Sequence, residues 1–250
     1  MSDYNNSTDD TDSQDIYDPV FVRRLFDEMS RTYGVVNLIS SFGFCSRWRR
    51  QCIDAISIHQ GSVVLDLMTG MGELLPGLSR RIGPSGALIA VDISPEMCRQ
   101  AQETSAKLNV IDGTTILRED ALELPSIEDS SVDYIVSSFG LKTFSVRQLE
   151  ALAGQVCRVL KPGGQFSFLE ISVPESCLMR WPYMLYLNHL IPLIGQTLMG
   201  NPDNYRLLGV YTAAFTSCRT AAPAFMATGL EVSYQEYFVG CASGLTGYKP

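Results

Sequence analysis

Val64-Leu65-Asp66-Leu67-Met68-Thr69-Gly70-Met71-Gly72, residues 64–72, decide how the whole chain is read. Residues 61–68, GSVVLDLM, are a short apolar run that reads as a buried strand, with the carboxylate of Asp66 near its end. A tight glycine turn, Thr69-Gly70-Met71-Gly72, leads from it into a helix that reaches about Arg81. Strand, glycine turn and helix in this order make a nucleotide-type site, because glycines let the backbone approach a ligand at the edge of a sheet.

Outward from this turn, strands and helices alternate. GALIAVDI (86–93) reads as a second strand, and Ser94-Pro95-Glu96 opens the next helix with Ser94 as N-cap and Pro95 at its first position. TTILRED (114–120) is a third strand and SVDYIVSSFG (131–140) a fourth. Residues 145–160 form a helix stopped by Lys-Pro-Gly-Gly, and QFSFLEIS (165–172) is a fifth strand. Such alternation implies a parallel sheet with helices on both faces, an α/β doubly wound fold. Before it, Val20, Val22, Leu25, Phe26, Met29 and Tyr33 recur at helical spacing, and a second helix is expected from Trp48 to about Ile58. After Ser172 the alternation breaks. Residues 173–216, rich in Leu, Tyr and Met, read as a helical lid insert, and within the C-terminal part, 217–250, LEVSYQEYFVG (230–240) and SGLTGYKP (243–250) read as a strand pair closing the sheet edge. The expected organisation is therefore an acidic disordered tail (1–18), N-terminal helices (19–58), a cofactor-binding core (59–172), the lid and the edge.

Composition narrows the function classes. Hydrophobic residues make up 46% and charged residues 18%, which allows a sizeable core and excludes global disorder. The net charge is −8, and six acidic residues (Asp3, Asp9, Asp10, Asp12, Asp15 and Asp18) lie in the first 18 positions without a Lys or Arg. The remainder is near neutral, which lacks the electrostatic footprint of a nucleic-acid binder. Seven cysteines are scattered without a C-x-x-C pair, as packing thiols in a reducing cytoplasm would be; no metal site is assigned. The N-terminus is acidic and polar, unlike a signal peptide, and no apolar run is long enough for a transmembrane helix.

The glycine turn alone serves NAD, FAD and S-adenosylmethionine alike. Asp92, ending the second strand about 20 residues past the turn, is placed to accept ribose hydroxyls, although a carboxylate near a helix N-cap is the structural alternative. Asp120-Ala121, after the third strand, offers an acceptor for an adenine amino group. Ser138, ending the fourth strand in Ser137-Ser138-Phe139-Gly140, lines the same edge. Arg158-Val159-Leu160-Lys161-Pro162-Gly163-Gly164 reads as a helix stop.

Taken together, Asp66 with Gly70 and Gly72, then Asp92, Asp120-Ala121 and RVLKPGG, resemble class I S-adenosylmethionine (SAM)-dependent methyltransferases. FDEMSRTYGVVNLISSFGFCSRWRR (26–50), VSSFGLKTF (136–144), LEISVPES (169–176), IPLIGQTLMGNPDNYRLL (191–208) and the terminal Gly247-Tyr248-Lys249 narrow the likeness to UbiE-type ubiquinone/menaquinone C-methyltransferases. The resemblance implies a seven-stranded, mostly parallel sheet with one antiparallel strand, a helical lid, SAM as cofactor and a small-molecule acceptor. It implies cofactor contacts from Asp66, Met68, Gly70, Met71, Gly72, Asp92, Ile93, Asp120, Ala121 and Ser138. Met71 stands where the family usually has Thr, and Tyr33 matches a Tyr of the N-terminal segment that faces the site.

The departures include the glycine turn, but the most telling fall on the acceptor side. Met68 and Thr69 replace small residues, Gly34 replaces a common Asp, and Gly209-Val210-Tyr211 replaces Pro-Glu-Ser/Thr. The family's Gly-Leu-Arg-Asn is here Gly140-Leu141-Lys142-Thr143, and Lys offers a point charge in place of a planar fork. An acceptor other than the usual quinone precursor is expected, with C-methylation as the family reaction and N-, O- or S-methylation open.

A phenol ortho carbon becomes nucleophilic when the phenol ionises, which a nearby cation and a base favour. Lys142 is the candidate cation, against a solvent-facing loop lysine. His189, in the lid, is the better of two histidines for a base, against a polar lid residue; His59 reads as surface. Tyr33, Tyr205 and Tyr211 are candidates to orient an acceptor hydroxyl and Thr143 to contact it, the tyrosines against half-buried packing. The apolar lid also suits a peripheral membrane contact, although a basic polar face is missing; a homodimer is left open. Two other readings stand beside the methyltransferase. A nicotinamide or flavin oxidoreductase is disfavoured by the missing third helix glycine. A non-catalytic cofactor-binding subunit is disfavoured by Asp92 and Asp120.

Overall fold

Alternate residues of the first strand face two different cores, and this alternation organises the molecule. The strands are β1 (Val63–Leu67), β2 (Ala87–Asp92), β3 (Thr114–Arg118), β4 (Val132–Ser138), β5 (Leu160–Ile171), β6 (Glu231–Tyr237) and β7 (Ala242–Tyr248). On one face Leu65, Leu67 and Ile135 pack with Leu149, Leu152 and Val156 of α5 (Val146–Val159) and Phe225 of α8 (Ala222–Ala227). On the other, Val64, Leu88 and Val136 pack with Leu75, Leu78 and Ile82 of α3 (Leu75–Ile82), Ile53 of α2 (Phe44–Asp54) and Ala101 of α4 (Pro95–Lys107). Burying one such side chain contributes roughly 1.5–3 kcal/mol, so the two layers hold the sheet from both sides.

The computed structural model describes the backbone of residues 16–40, 43–107, 114–191, 193, 196 and 202–250, and the side chains of these except 31–40 and 202–205. Residues 1–15, most of the expected tail, lie outside them. The seven strands form one sheet in the order β3-β2-β1-β4-β5-β7-β6. β1 to β5 are parallel, and β7 runs antiparallel between β5 and β6. Chain order reverses on either side of β1, so a crevice opens at the carboxyl ends of β1 and β4.

Helix starts follow the sequence chemistry. Ser94 caps α4, accepting from Met97 N at 3.0 Å, directly before Pro95. Ser145 and Gln148 form a capping box at α5. Two boundaries differ from expectation. α2 spans Phe44–Asp54, ending before Ile56 and Ile58, which are buried in the α3 core instead of continuing a helix. α5 does stop at Val159, as expected, but Leu160 to Gly164 already belong to β5: Leu160 pairs with Val132, the register shifts, and Gln165 pairs with Tyr134. Gly163, at φ 78, turns the bulged segment so that its N–H reaches Lys249 O at 2.7 Å.

α1 (Pro19–Ser40) borders the crevice through Pro19, Val22 and Phe26, and α6 (Cys177–Leu185) with a π turn (Tyr186–Leu190) and α7 (Pro202–Phe215) pack together with it. Their shared core contains Leu25, Met29, Leu187, Ile191 and Tyr211. Among the described residues no helix is long and apolar enough to cross a membrane.

Candidate active site

The cleft lies where β1, β2, β3 and β4 end. Its floor is the glycine turn. Thr69 N donates to Val91 O at 2.9 Å, and Gly70 N donates to Asp92 Oδ2 at 2.8 Å, so the turn after β1 is pinned to the end of β2. Met68 adopts φ 59, a left-handed conformation for a side-chain-bearing residue, and lines the cleft together with Thr69 and Gly70. Gly140, after β4, leaves room for it: a Cβ there would stand 2.5 Å from Met68 Sδ. Gly72, at φ 79, lets α3 approach α4, since a Cβ would come within 3.2 Å of Ala101 Cα. Gly72 and Met71 do not line the cleft; the Met71 side chain packs with the lid core and borders a second cavity.

Asp66 is buried behind the turn. Its Oδ2 accepts from Thr69 Oγ1 at 2.6 Å, and Oδ1 has no hydrogen-bond partner among the described residues. Burial pushes its carboxyl up to about 7, opposed by the Thr69 hydrogen bond and reinforced by Glu73 and Asp92. Asp66 does not line the cleft, so it supports the turn from behind.

Asp92, Ile93, Asp120, Ala121 and Ser138 all line the cleft, as the sequence places them. Asp92 accepts from Gly70 N and, through Oδ1, from Ser94 N at 2.9 Å, which leaves further lone pairs for a ligand. Burial raises its carboxyl to about 6, against those two backbone hydrogen bonds. Asp120 Oδ1 accepts from Leu122 N at 2.9 Å, which fixes the loop after β3. The adjacent Glu119 also lines the cleft, with a buried Oε2 that lacks a partner among the described residues. An orphaned acceptor beside Asp120 and carboxylates at the ends of β2 and β3 fit an adenosine group with its amino and hydroxyl donors.

The acceptor half differs more from expectation. Thr143 lines the cleft, its Oγ1 donating to Gly140 O at 2.7 Å. Lys142 does not line it. Its Nζ is buried, 2.7 Å from Glu170 Oε1 and 3.1 Å from Phe139 O, while its backbone N donates to Glu170 Oε2 at 3.1 Å. This corrects both sequence readings of Lys142: it is neither free to face an acceptor nor exposed on a loop. The β4–β5 pairing places Ser138 beside Leu169, so the turn after β4 sits against Glu170, and a buried carboxylate takes the nearest cation. His189 is exposed on the π turn, outside the cleft lining. Tyr211 is fully buried: its hydroxyl donates to Ile16 O, and its ring meets Tyr17 edge-on at 5.9 Å. It therefore ties α7 to the chain before α1 and does not line the cleft. The side chains of Tyr33 and Tyr205 lie outside the described residues.

Sequence reasoning missed the cover and one wall. Tyr17, Val22 and Phe26 close the cleft from the N-terminal side, and Gln148 of α5 holds Tyr17 O at 2.9 Å. Arg49 of α2 and Glu73 of the turn into α3 form an ion pair at 2.6 Å that lines both the cleft and the neighbouring cavity. The Arg-Trp-Arg-Arg run was a visible signal, but which arginine turns inward depends on helix phase.

A doubly wound sheet of this order, with a glycine turn after β1 and carboxylates after β2 and β3 around one crevice, defines a class I SAM-dependent methyltransferase. Residues 10–249 match the model of the ubiE/COQ5 methyltransferase family, and the chain belongs to that family. It is 31% identical over 229 residues to the ubiquinone/menaquinone biosynthesis C-methyltransferase UbiE of Idiomarina loihiensis, covering 91% of this chain and 90% of the relative. Among solved structures, a SAM-dependent methyltransferase from Aquifex aeolicus superposes with TM-score 0.58 at 20% identity, covering 92% of this chain and 97% of that one. Another from Thermotoga maritima gives TM-score 0.61 at 17% identity, covering 91% and 99%.

Proposed function

We propose that this methyltransferase alkylates carbon of a small, apolar, aromatic or quinone-like acceptor, in quinone or specialised-metabolite biosynthesis. The observation that carries the reading is the division of the cleft. Carboxylates line the ends of β2 and β3, while Val22, Phe26, Met68, Phe139 and Phe144 form an apolar wall beside them. The polar row suits the adenosine: Asp92 would accept the ribose hydroxyls, and Asp120 with Glu119 the adenine amino group. The apolar wall suits a flat ring and excludes water. When bound, SAM supplies a methyl group already activated by its sulfonium charge. The protein's part is then alignment of acceptor carbon and methyl, which for oriented reactants supplies about 7–11 kcal/mol.

The buried Lys142–Glu170 pair supports an acceptor other than demethylmenaquinone. The residue standing in place of the family's Arg is engaged with Glu170, so Thr143 is left as the cleft-facing member of that pair of positions. Lys142 acts as a positioning residue that holds the turn from Phe139 to Thr143. Mass-spectrometric screening of phenols, quinols and heterocycles with labelled methyl donor tests this. Transfer to carbon of a ring compound, with weak turnover of demethylmenaquinone, is expected; robust turnover of demethylmenaquinone with weak turnover of the others would contradict it.

A peripheral membrane contact and a cytoplasmic location belong to the same proposal. Leu178, Trp181 and Leu185 follow one another at helical spacing on α6 and are 89%, 72% and 47% exposed. Co-sedimentation with vesicles that Trp181→Ser weakens would support the contact. A stable homodimer that buries this row, seen by light scattering, is the alternative outcome.

A further inference from the structure

The sheet works as a ruler for the cofactor. β3, β2, β1 and β4 are consecutive neighbours, spaced about 4.8 Å apart. The adenine position follows β3 and the ribose position follows β2, so the remaining arm of the cofactor runs over β1 and β4. That arm is an amino acid, with one carboxylate and one ammonium. Over β1 and β4 the cleft is lined by Gly70, Glu73, Phe139 and Arg49.

Arg49 is built to receive an anion. Its side chain is only 11% exposed, its guanidinium carbon lies 5.1 Å from the centre of the Phe139 ring, and Nη2 donates to Glu73 Oε1 at 2.6 Å. Its Nε is buried and has no hydrogen-bond partner among the described residues. Buried donors are normally satisfied, so an unused guanidinium N–H beside a ligand cleft marks an acceptor still to come. The surroundings favour a cation as well. Besides burial, Glu73 and Asp92 push the Asp66 carboxyl up, and the Arg49 guanidinium opposes them. Glu73 and Asp92 both line the cleft beside this one guanidinium, which suits an ammonium.

We propose that Arg49 and Glu73 form a zwitterion clamp for the methionine arm of SAM: Arg49 holds the α-carboxylate, starting from its unpartnered Nε, and Glu73 holds the α-ammonium. In the absence of ligand the two side chains neutralise each other, which keeps the wall intact between the cleft and the cavity behind it. The unpartnered N–H is Nε, so a bidentate grip needs Nη2 to be shared with or released by Glu73; arginine suits the task because its planar fork matches a carboxylate in a way that a lysine does not.

Calorimetric titration with S-adenosylhomocysteine, its decarboxylated analogue and methylthioadenosine tests the clamp. Arg49→Gln should weaken S-adenosylhomocysteine about tenfold to a hundredfold, as loss of a charge-assisted hydrogen bond does. The same change should leave methylthioadenosine, which lacks the arm, within about twofold. The preference of the wild type for S-adenosylhomocysteine over the decarboxylated analogue should collapse in Arg49→Gln, with Arg49→Lys between the two. Should Arg49→Gln fail to fold, Arg49→Lys and Glu73→Gln carry the same comparison. Equal weakening of both S-adenosylhomocysteine and methylthioadenosine, or no weakening of either, would overturn the clamp. A wild type that binds none of the three would overturn the cofactor assignment itself.

Discussion

Asp66 and Asp92 set the pH behaviour of the site. Their carboxyls are pushed by burial to about 7 and about 6, against ordinary values of 3.8. The folded state therefore holds protons that the unfolded state has released, so stability falls as pH rises from about 4 through about 7. Between pH 6 and pH 8 the two groups together remove about 1–2 kcal/mol. The melting temperature of the ligand-free protein should drop by about 3–7 °C over that interval, and Asp66→Asn should flatten the slope. A slope unchanged in Asp66→Asn would show that Asp66 is ionised in the fold. Ligand binding runs the other way, because ribose hydroxyls need the Asp92 carboxylate: affinity for S-adenosylhomocysteine should weaken below about pH 6. Lys142 and His189 separate cleanly at this scale. Lys142→Ala strands Glu170 in the core and should cost about 3–5 kcal/mol, read as a melting-temperature loss of roughly 10 °C. His189→Ala, on an exposed turn, should change stability by less than about 0.5 kcal/mol and leave turnover within about twofold.

At the level of elements, what the sequence disclosed was local. The glycine turn, the Ser94 cap and the carboxylates after β2 and β3 each announce themselves within a few residues, because strand, turn and cap chemistry is a matter of neighbours. Arg49, Glu73 and Tyr17 were illegible: each reaches the cleft from a different element, and only helix phase and packing bring them together. The burial of Lys142 was illegible for the same reason, since Glu170 lies 28 residues away and meets it through the pairing of β4 with β5. The Lys161–Gly164 segment marks the end of α5 as read, but only its pairing partners show that β5 has already begun there. The juxtaposition of the β1 and β4 turns gives a further test. Gly140 has an ordinary φ of −106°, so it is glycine for space alone. Gly140→Ala should cost about 1–3 kcal/mol by crowding Met68, and adding Met68→Ala should recover much of it. If Gly140→Ala is equally destabilising in the Met68→Ala background, the contact is not its cause.

In the molecule as a whole, four neighbouring strands end at one cleft, with α1 along its border. In the proposed binding mode, the sheet order sets the sequence of adenine, ribose and methionine arm along that cleft. α1, α6 and α7 share a core, and the bond of Tyr211 to Ile16 O ties the segment before α1, whose Tyr17 covers the cleft, to α7. Tyr211→Phe should loosen this cover and speed cofactor release, seen as a faster dissociation rate in stopped-flow fluorescence with little change in association. The central claim is that the carboxyl ends of β1, β2 and β3 hold the adenosine of SAM. Equilibrium titration with S-adenosylhomocysteine, in the wild type and in Asp92→Asn, tests it most directly. One site per chain in the wild type and at least about tenfold weaker binding in Asp92→Asn are predicted from loss of a charge-assisted acceptor; no binding in the wild type, or equal binding in the two, would contradict it.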